Sequence, residues 1–264
     1  MKKFLFMALA LLFSGPMMAQ GGPDKLYVIF ELMRVDNEQE SAYAETENFW
    51  EKIHQERVKS GDIIGWDWWL MLPGGEDQGY QYLTVTLFND PVKMLEGGDL
   101  LANAKSAYPG MSEEALMDKL NGSAKTRDLA VRIFIEEIAN ASKEGMQMQP
   151  GMIAHLNMMK VPLNGYDVYE TAEKEVFQPF HQAAVDNGHR EYRALGRFMV
   201  PYGSATYASH MTVDMFKDMT QALSGGGNLS WGDLSEAQQK AVTDGVASRD
   251  QKFQYVCRLL KAVR

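Results

Sequence analysis

"LYVIFELMRV", residues 26–35, alternates: Leu26, Val28, Phe30 and Leu32 fall on one face of an extended chain, and Tyr27, Ile29, Glu31 and Met33 on the other. The same kind of stretch returns 126 positions later as "MIAHLNMMKV", residues 152–161. Outward from this pair, further matches keep their order. "YAETE" from Tyr43 meets "YETAE" from Tyr169, and at an offset of 127 His54 meets His181 and Gly61 meets Gly188. "TVTLFND" (84–90) meets "TVDMFKD" (212–218), and "TRD" (126–128) meets "SRD" (248–250). Ordered matches that drift by only a few residues mark an internal duplication.

Both halves share one grammar. A strand (26–35; 152–161) is followed by a helix, about 42–60 and 167–187, that stops at Gly61 and Gly188, the residue favoured just past a helix end. Two strands come next, about 62–72 and 79–88, joined by "PGGEDQG"; their counterparts, about 190–200 and 205–216, are joined by "PYGS". A helical region covers about 91–125 and 219–247, and a last strand about 128–137 and 250–260. Residues 20–140 form the first half, 141–151 the linker and 152–264 the second half.

The fold class is therefore α+β, with two tandem β-α-β-β-α-β halves of the ferredoxin-like plan. With its long first helix, Trp-rich second strand ("GWDWWL", 65–70) and tandem copy, the chain resembles the dimeric α/β-barrel superfamily. The resemblance covers both halves and rests on element order. It implies a pseudo-dimeric barrel with helices outside, both sheets coming from one chain.

Strand alternation sorts residues by face. The wholly apolar face (Leu26, Val28, Phe30 and Leu32, with Met152, Ala154, Leu156 and Met158) is expected under the helices. The mixed face is expected in the lumen: Glu31, Trp66, Trp68, Tyr82 and Thr84 from the first half, and His155, Asn157, Arg193, Arg197, His210 and Asp214 from the second. Arg132 and Glu136 would join them, leaving Asp67 and Trp69 against the helices. Aromatic walls with a few convergent polar groups are the usual profile of a ligand pocket; the alternative is a satisfied internal network around trapped water.

Tyr43, Glu47, Trp50 and His54 lie on one stripe of the first helix, repeated as Tyr169, Glu173, Phe177 and His181 with a one-residue slip before the aromatic. Glu and His seven residues apart stand roughly 10 Å from each other along a helix and form no direct dyad. A stripe kept in both copies while the surrounding strands diverge reads as the rule for docking helix on sheet.

Composition sets the setting. Lys2 and Lys3 precede an apolar run from Phe4 to Phe13, with a small residue, Ala19, at the expected cleavage point, so residues 1–19 read as a signal peptide of an exported, periplasmic or secreted protein. Hydrophobic content of 45% and charged content of 23% are globular, and a net charge of −9 without a basic stripe disfavours nucleic acid and anionic membranes. No segment beyond the leader is apolar enough to span a bilayer. Cys257 is the only cysteine, which rules out an internal disulfide, and it reads as a buried core thiol. "GGGN" from Gly225 reads as a loop and His189 as a solvated turn residue. Two sheets in one chain remove the need to dimerise, so both monomer and homo-oligomer are open.

No phosphate loop, His-Glu-x-x-His, paired-Cys motif or Gly-x-Ser-x-Gly is present. Two function classes follow. In the first, the lumen binds a small, partly aromatic, possibly anionic molecule, with Trp66, Trp68 and Tyr82 stacking and Arg193 and Arg197 taking the anionic end. In the second, the resemblance implies cofactor-independent oxygenation or haem chemistry, with His155 or His210 as iron ligand. A metal site of His155, His210 and Asp214 is the remaining alternative, and it requires three strand residues to converge.

Overall fold

The structure, a computed structural model, describes residues 25–73, 78–224 and 234–264. The leader, part of the "PGGEDQG" joint and "GGGN" lie outside the described residues. Eight strands occur in chain order: β1 (Tyr27–Arg34), β2 (Gly65–Leu72), β3 (Tyr82–Phe88), β4 (Asp128–Ser142), β5 (Ile153–Lys160), β6 (Tyr192–Val200), β7 (His210–Phe216) and β8 (Asp250–Val263). All pair antiparallel and close into a barrel in the order β1-β3-β2-β8-β5-β7-β6-β4. Each half contributes four neighbouring strands, and the order β4-β1-β3-β2 is matched by β8-β5-β7-β6.

The last strand of each half runs longer than its sequence suggests, for a reason visible in the pairing. β4 pairs with β1 over residues 128–136 and then with β6 over 134–142; β8 pairs with β5 over 250–258 and then with β2 over 256–263. These two strands are the seams that join the halves. The extra residues satisfy a partner that a single half does not contain.

Helix α1 (Glu40–Ser60) carries Glu40 in its first turn and Arg57 and Lys59 in its last, complementing the helix dipole. Gly61 ends it at φ 75°, its N–H donating to Val58 and Arg57 carbonyls. Short helices α2 (Pro91–Glu96), α3 (Leu100–Ala107) and α4 (Glu113–Gly122) follow β3. In the second half, α5 (Tyr166–Thr171) and α6 (Gln178–Asp186) are joined without a break by a π turn over Ala172–Phe177. A π turn accommodates one extra residue in a helix. It falls where the stripe slips, between Glu173 and Phe177, so that Tyr169 before it, these two residues within it and His181 after it stay on one side of the helix. α7 (Met219–Leu223) and α8 (Glu236–Ala247) lie between β7 and β8. α8 crosses the π turn at Gly245, where an added Cβ would lie 2.4 Å from the Ala172 Cβ.

The two barrel faces are opposite to the sequence expectation. Val28, Phe30, Leu32, Leu83, Val85, Ala154, Leu156, Met158, Met211, Val213, Cys257 and Leu259, drawn from strands all round the barrel, form one buried cluster, which faces the interior. Trp69 and Met71 belong to it, and Asp67 lines the cavity within. Trp66 and Trp68 instead cluster with Tyr43 of α1 and Met94 of α2, so they lie beneath the helices. An eight-stranded barrel is just wide enough for its own side chains to fill. An apolar face turned inward needs no partners, whereas the mixed face finds them on the helices. Cys257 is a buried thiol as expected, but inside the barrel; burial raises its pKa far above the ordinary range. Among the described residues no helix is long and apolar enough to cross a membrane.

Candidate functional site

Beneath α1 the outer face of β1, β3 and β4 leaves a cavity of about 350 Å³, within the range of small-ligand sites (about 300–1,000 Å³). Its floor is Ile29, Glu31, Thr84, Thr86, Arg132 and Phe134 from the strands; its roof is Glu47, Trp50, His54 and Arg57 from α1, with Met94, Leu95 and Leu100 closing one side. The stripe that docks α1 thus also forms one wall of a pocket.

Three rings of that wall stack on one another. His54 stacks on Trp66 with centroids 4.8 Å apart and planes 18° apart, and on Trp50 at 5.7 Å and 26°. The Trp50 indole N–H donates to Ser123 Oγ at 2.9 Å. Arg57 Nη1 lies 3.3 Å from His54 Nδ1. A guanidinium has only donors, so Nδ1 accepts and the imidazole proton sits on Nε2. Burial, then the Arg57 charge, holds the His54 pKa well below the usual histidine value, so the ring is neutral at physiological pH.

The pocket charges do not cancel. Glu31 accepts from Arg132 Nε at 2.7 Å and from Thr84 Oγ1 at 3.2 Å, and Glu47 is paired with Arg127. Arg57 has no such partner among the described residues. Its Nη2 donates to the Gly97 carbonyl at 3.3 Å, its Nε is buried without an acceptor, and desolvation lowers its pKa. Asp62 and Glu31 act on it only through space, and a guanidinium 8% exposed with no carboxylate in contact is costly unless something negative joins it.

The second half holds a smaller counterpart of about 250 Å³, lined by Asn157, Glu173, His181, Arg193, Thr212 and Arg249 among others. Its charges are largely spent on each other. Asp214 receives Arg193 at 2.8 Å and also pairs with Arg190, while Arg193 reaches Glu173 at 3.4 Å. Asn157 donates to Thr212 at 3.2 Å and to Asp214 at 3.3 Å. His181 Nδ1 lies 3.3 Å from Arg190 Nη1, and burial, then Arg193 and Arg190, lowers its pKa to about 3.

The sequence-derived residues therefore sit outside the lumen and divide between places. Glu31, Trp66 and Thr84 line the pocket under α1; Trp68 and Tyr82 stack beside it at 5.8 Å, beneath Tyr43. Asn157 and Arg193 line the second cavity, with Asp214 behind them. Arg197 is bound by Glu136 and, at 3.0 Å, by Glu170, so neither Arg193 nor Arg197 is a free anion receptor. His210 is fully buried, with Nδ1 3.0 Å from Ser209 Oγ and Nε2 3.2 Å from Glu170. His155 packs on Phe216 at 4.9 Å and lines neither cavity. His189 is exposed. The residues missed from the sequence are His54 and Trp50, read as scaffold, and Arg57 and Arg127. The His54–Arg57 spacing and the repeated "TRD"/"SRD" were the available signals.

Haem fits poorly. An axial imidazole offers iron the Nε2 lone pair and donates its Nδ1 proton to an acceptor. His54 and His181 have the reverse arrangement, a guanidinium at Nδ1, and both nitrogens of His210 are engaged. Among the described residues no group of three or more His, Cys, Asp or Glu side chains is placed to hold a metal ion, and in the pairing His155 faces Asp214 while His210 lies at the other end of β7.

No family model and no curated protein matches the sequence. Solved structures do match in fold. A provisionally assigned monooxygenase from Fusobacterium nucleatum superposes with a TM-score of 0.56 at 11% identity, covering 91% of this chain and 94% of that one. A second provisionally assigned monooxygenase, from Lactobacillus acidophilus, gives 0.52 at 10% identity, covering 90% and 95%. A haem-binding protein from Thermus thermophilus gives 0.46 at 10% identity, covering 90% and 92%. The shared architecture is that of dimeric α/β-barrel proteins.

Proposed function

We propose that the chain is an oxygenase-type enzyme working without haem on a small planar aromatic anion, a phenolate or enolate, held in the pocket under α1. The observation that carries this is Arg57, a buried guanidinium with no carboxylate in ion-pair contact, beside the Trp50–His54–Trp66 stack. The ring of the substrate lies against that stack. Its oxygen receives the Arg57 guanidinium and the His54 Nε2 proton. A neutral imidazole donates without surrendering its proton, and both contacts favour the ionised substrate, lowering its pKa. An electron-rich anion is the substrate form able to pass an electron to dioxygen directly. The buried Met94, with Leu100, gives that side an apolar lining. The fold likeness to monooxygenase-type proteins supports the reaction class and goes no further. Oxygen consumption with dihydroxynaphthalenes as probes tests it: turnover by the wild type and at least about tenfold less by Arg57→Met is expected, while no uptake with any hydroxylated bicyclic ring counts against it.

The matching strand order of the two halves, and the π turn at the slip in their alignment, support a duplicated ferredoxin-like unit, with the boundaries 20–140 and 152–264. We also propose export on the strength of the leader. N-terminal sequencing of protein from the periplasm or medium is expected to start at Gln20, and an intact Met1 there would argue against it.

A further inference from the structure

We infer that the barrel interior is a second binding site, separate from the pocket under α1, and that it takes a neutral apolar molecule about the size of a bicyclic hydrocarbon or a medium-length alkyl chain. The lumen is not completely filled. A cavity of about 240 Å³ lies within it, lined by Val28, Phe30, Trp69, Val85, Leu156 and Val213 among others. It exists because β5 and β6 present Ala154, Ala194 and Gly196 where a self-filling barrel would carry branched aliphatics. Gly196 is fixed by packing, since an added Cβ would lie 2.5 Å from Ile135 Cγ2, whereas the two alanines border the cavity itself.

The cavity is blind. At one end of the barrel the Tyr80 and Tyr255 hydroxyls meet at 2.7 Å, and both rings pack against the interior cluster. At the other end Met146 and Met148, from the segment between β4 and β5, lean over the opening, where their thioether chains adapt to an occupant's shape. The polar groups at this mouth are already paired. Arg264 binds Asp67 through both nitrogens, at 2.8 and 3.0 Å. Tyr192 donates to Glu137, which also accepts from Asn140 at 2.6 Å. The Glu137 oxygens are taken by Tyr192 and Asn140 and those of Asp67 by Arg264, so no free donor or acceptor is left to hold a polar head group, and the occupant is neutral. An apolar void offers water too few partners and stays dry, and engineered voids of about 150 Å³ already take up benzene. This one is larger.

The test uses the full mature chain and the neutral fluorescent probe N-phenyl-1-naphthylamine, with decan-1-ol as competitor. Saturable fluorescence displaced by decan-1-ol is expected in the wild type. Affinity should fall at least tenfold in the Ala154→Leu, Ala194→Leu double variant, which fills the void, and stay within twofold in Arg57→Met. Lack of saturable binding to the wild type overturns the inference, as does loss in Arg57→Met with retention in the filled variant. Should the filled variant not fold, methyl-labelled methionine spectra of the wild type decide. Decan-1-ol should shift Met146, Met148, Met211 and Met215; shifts at Met94 alone would place the probe under α1 and overturn the lumen site.

Discussion

Replacing Arg57 by Met separates binding from stability, with opposite signs. In the folded protein this guanidinium is 8% exposed and makes two hydrogen bonds, to His54 and to the Gly97 carbonyl, each 3.3 Å long. Hydrogen bonds to a charged group contribute about 1.5–3 kcal/mol each at good geometry, and these are long. Against them stands desolvation of the cation, several kcal/mol per ion, which Asp62 and Glu31 offset only in part and without ion-pair contact. Met keeps the apolar stem and removes the charge. The net change is therefore expected between about zero and 3 kcal/mol in favour of the variant, a rise in Tm of up to roughly 10 °C for a domain of this size. Binding moves the other way. Loss of a desolvated charge-assisted contact costs about 2–5 kcal/mol, at least about 30-fold in Kd at 1.4 kcal/mol per decade. Urea denaturation gives the first quantity, and titration calorimetry with a naphtholate probe the second. A Tm drop of more than about 5 °C, or a Kd within threefold of wild type, would refute the reasoning by making Arg57 a scaffold residue.

Three further outcomes follow from the same contacts. Asp214→Leu leaves Arg190 and Arg193 buried and unpaired and should cost about 3–5 kcal/mol in urea denaturation; a loss below 1 kcal/mol would mean the guanidinia find water instead. Because the folded-state pKa of His181 lies at about 3, below the unfolded value, its contribution to stability is present above about pH 6.5 and is lost as pH falls toward 3. His181→Gln should therefore flatten the decline of Tm across that window relative to wild type, and parallel curves would contradict the assignment. Gly245→Ala gains about 1 kcal/mol of helix propensity on an exposed helix, but here the new Cβ meets Ala172 at 2.4 Å, and a net loss of about 1–3 kcal/mol is expected by chemical denaturation. A more stable variant would show that α8 moves off the π turn at no cost.

Element order was legible because it is written in local signals: alternation in β1 and β5, glycine after α1, and the repeat itself. What alternation does not carry is which face points inward. It distinguishes Val28 and Phe30 from Ile29 and Glu31, but both faces of these strands are covered, one by the opposite wall of the barrel and the other by helices. Expecting the polar set inside overlooks partners outside the strands: Arg190 for Asp214, Glu173 for Arg193 and Glu170 for Arg197. The length of β4 and β8 was hidden for a related reason, since half of each strand's pairing lies in the other copy. Trp66, Glu31 and Thr84 were identified as pocket residues although the pocket lies on the outer face. His54 was set aside because its duplication argued for packing, and packing and lining turn out to be compatible roles for one stripe. Arg57 had no strand pattern to flag it; only its burial without a carboxylate singles it out, and burial is not written in the sequence.

The most direct measurement is a crystal structure or calorimetric titration of the mature protein with a naphtholate, in parallel with oxygen consumption on the same compound. The proposed reaction predicts one ring lying against the Trp50–His54–Trp66 stack with its oxygen at Arg57, and uptake of dioxygen that falls with Arg57→Met. A naphtholate bound elsewhere, or bound at Arg57 with no oxygen consumed by any member of the series, would contradict it.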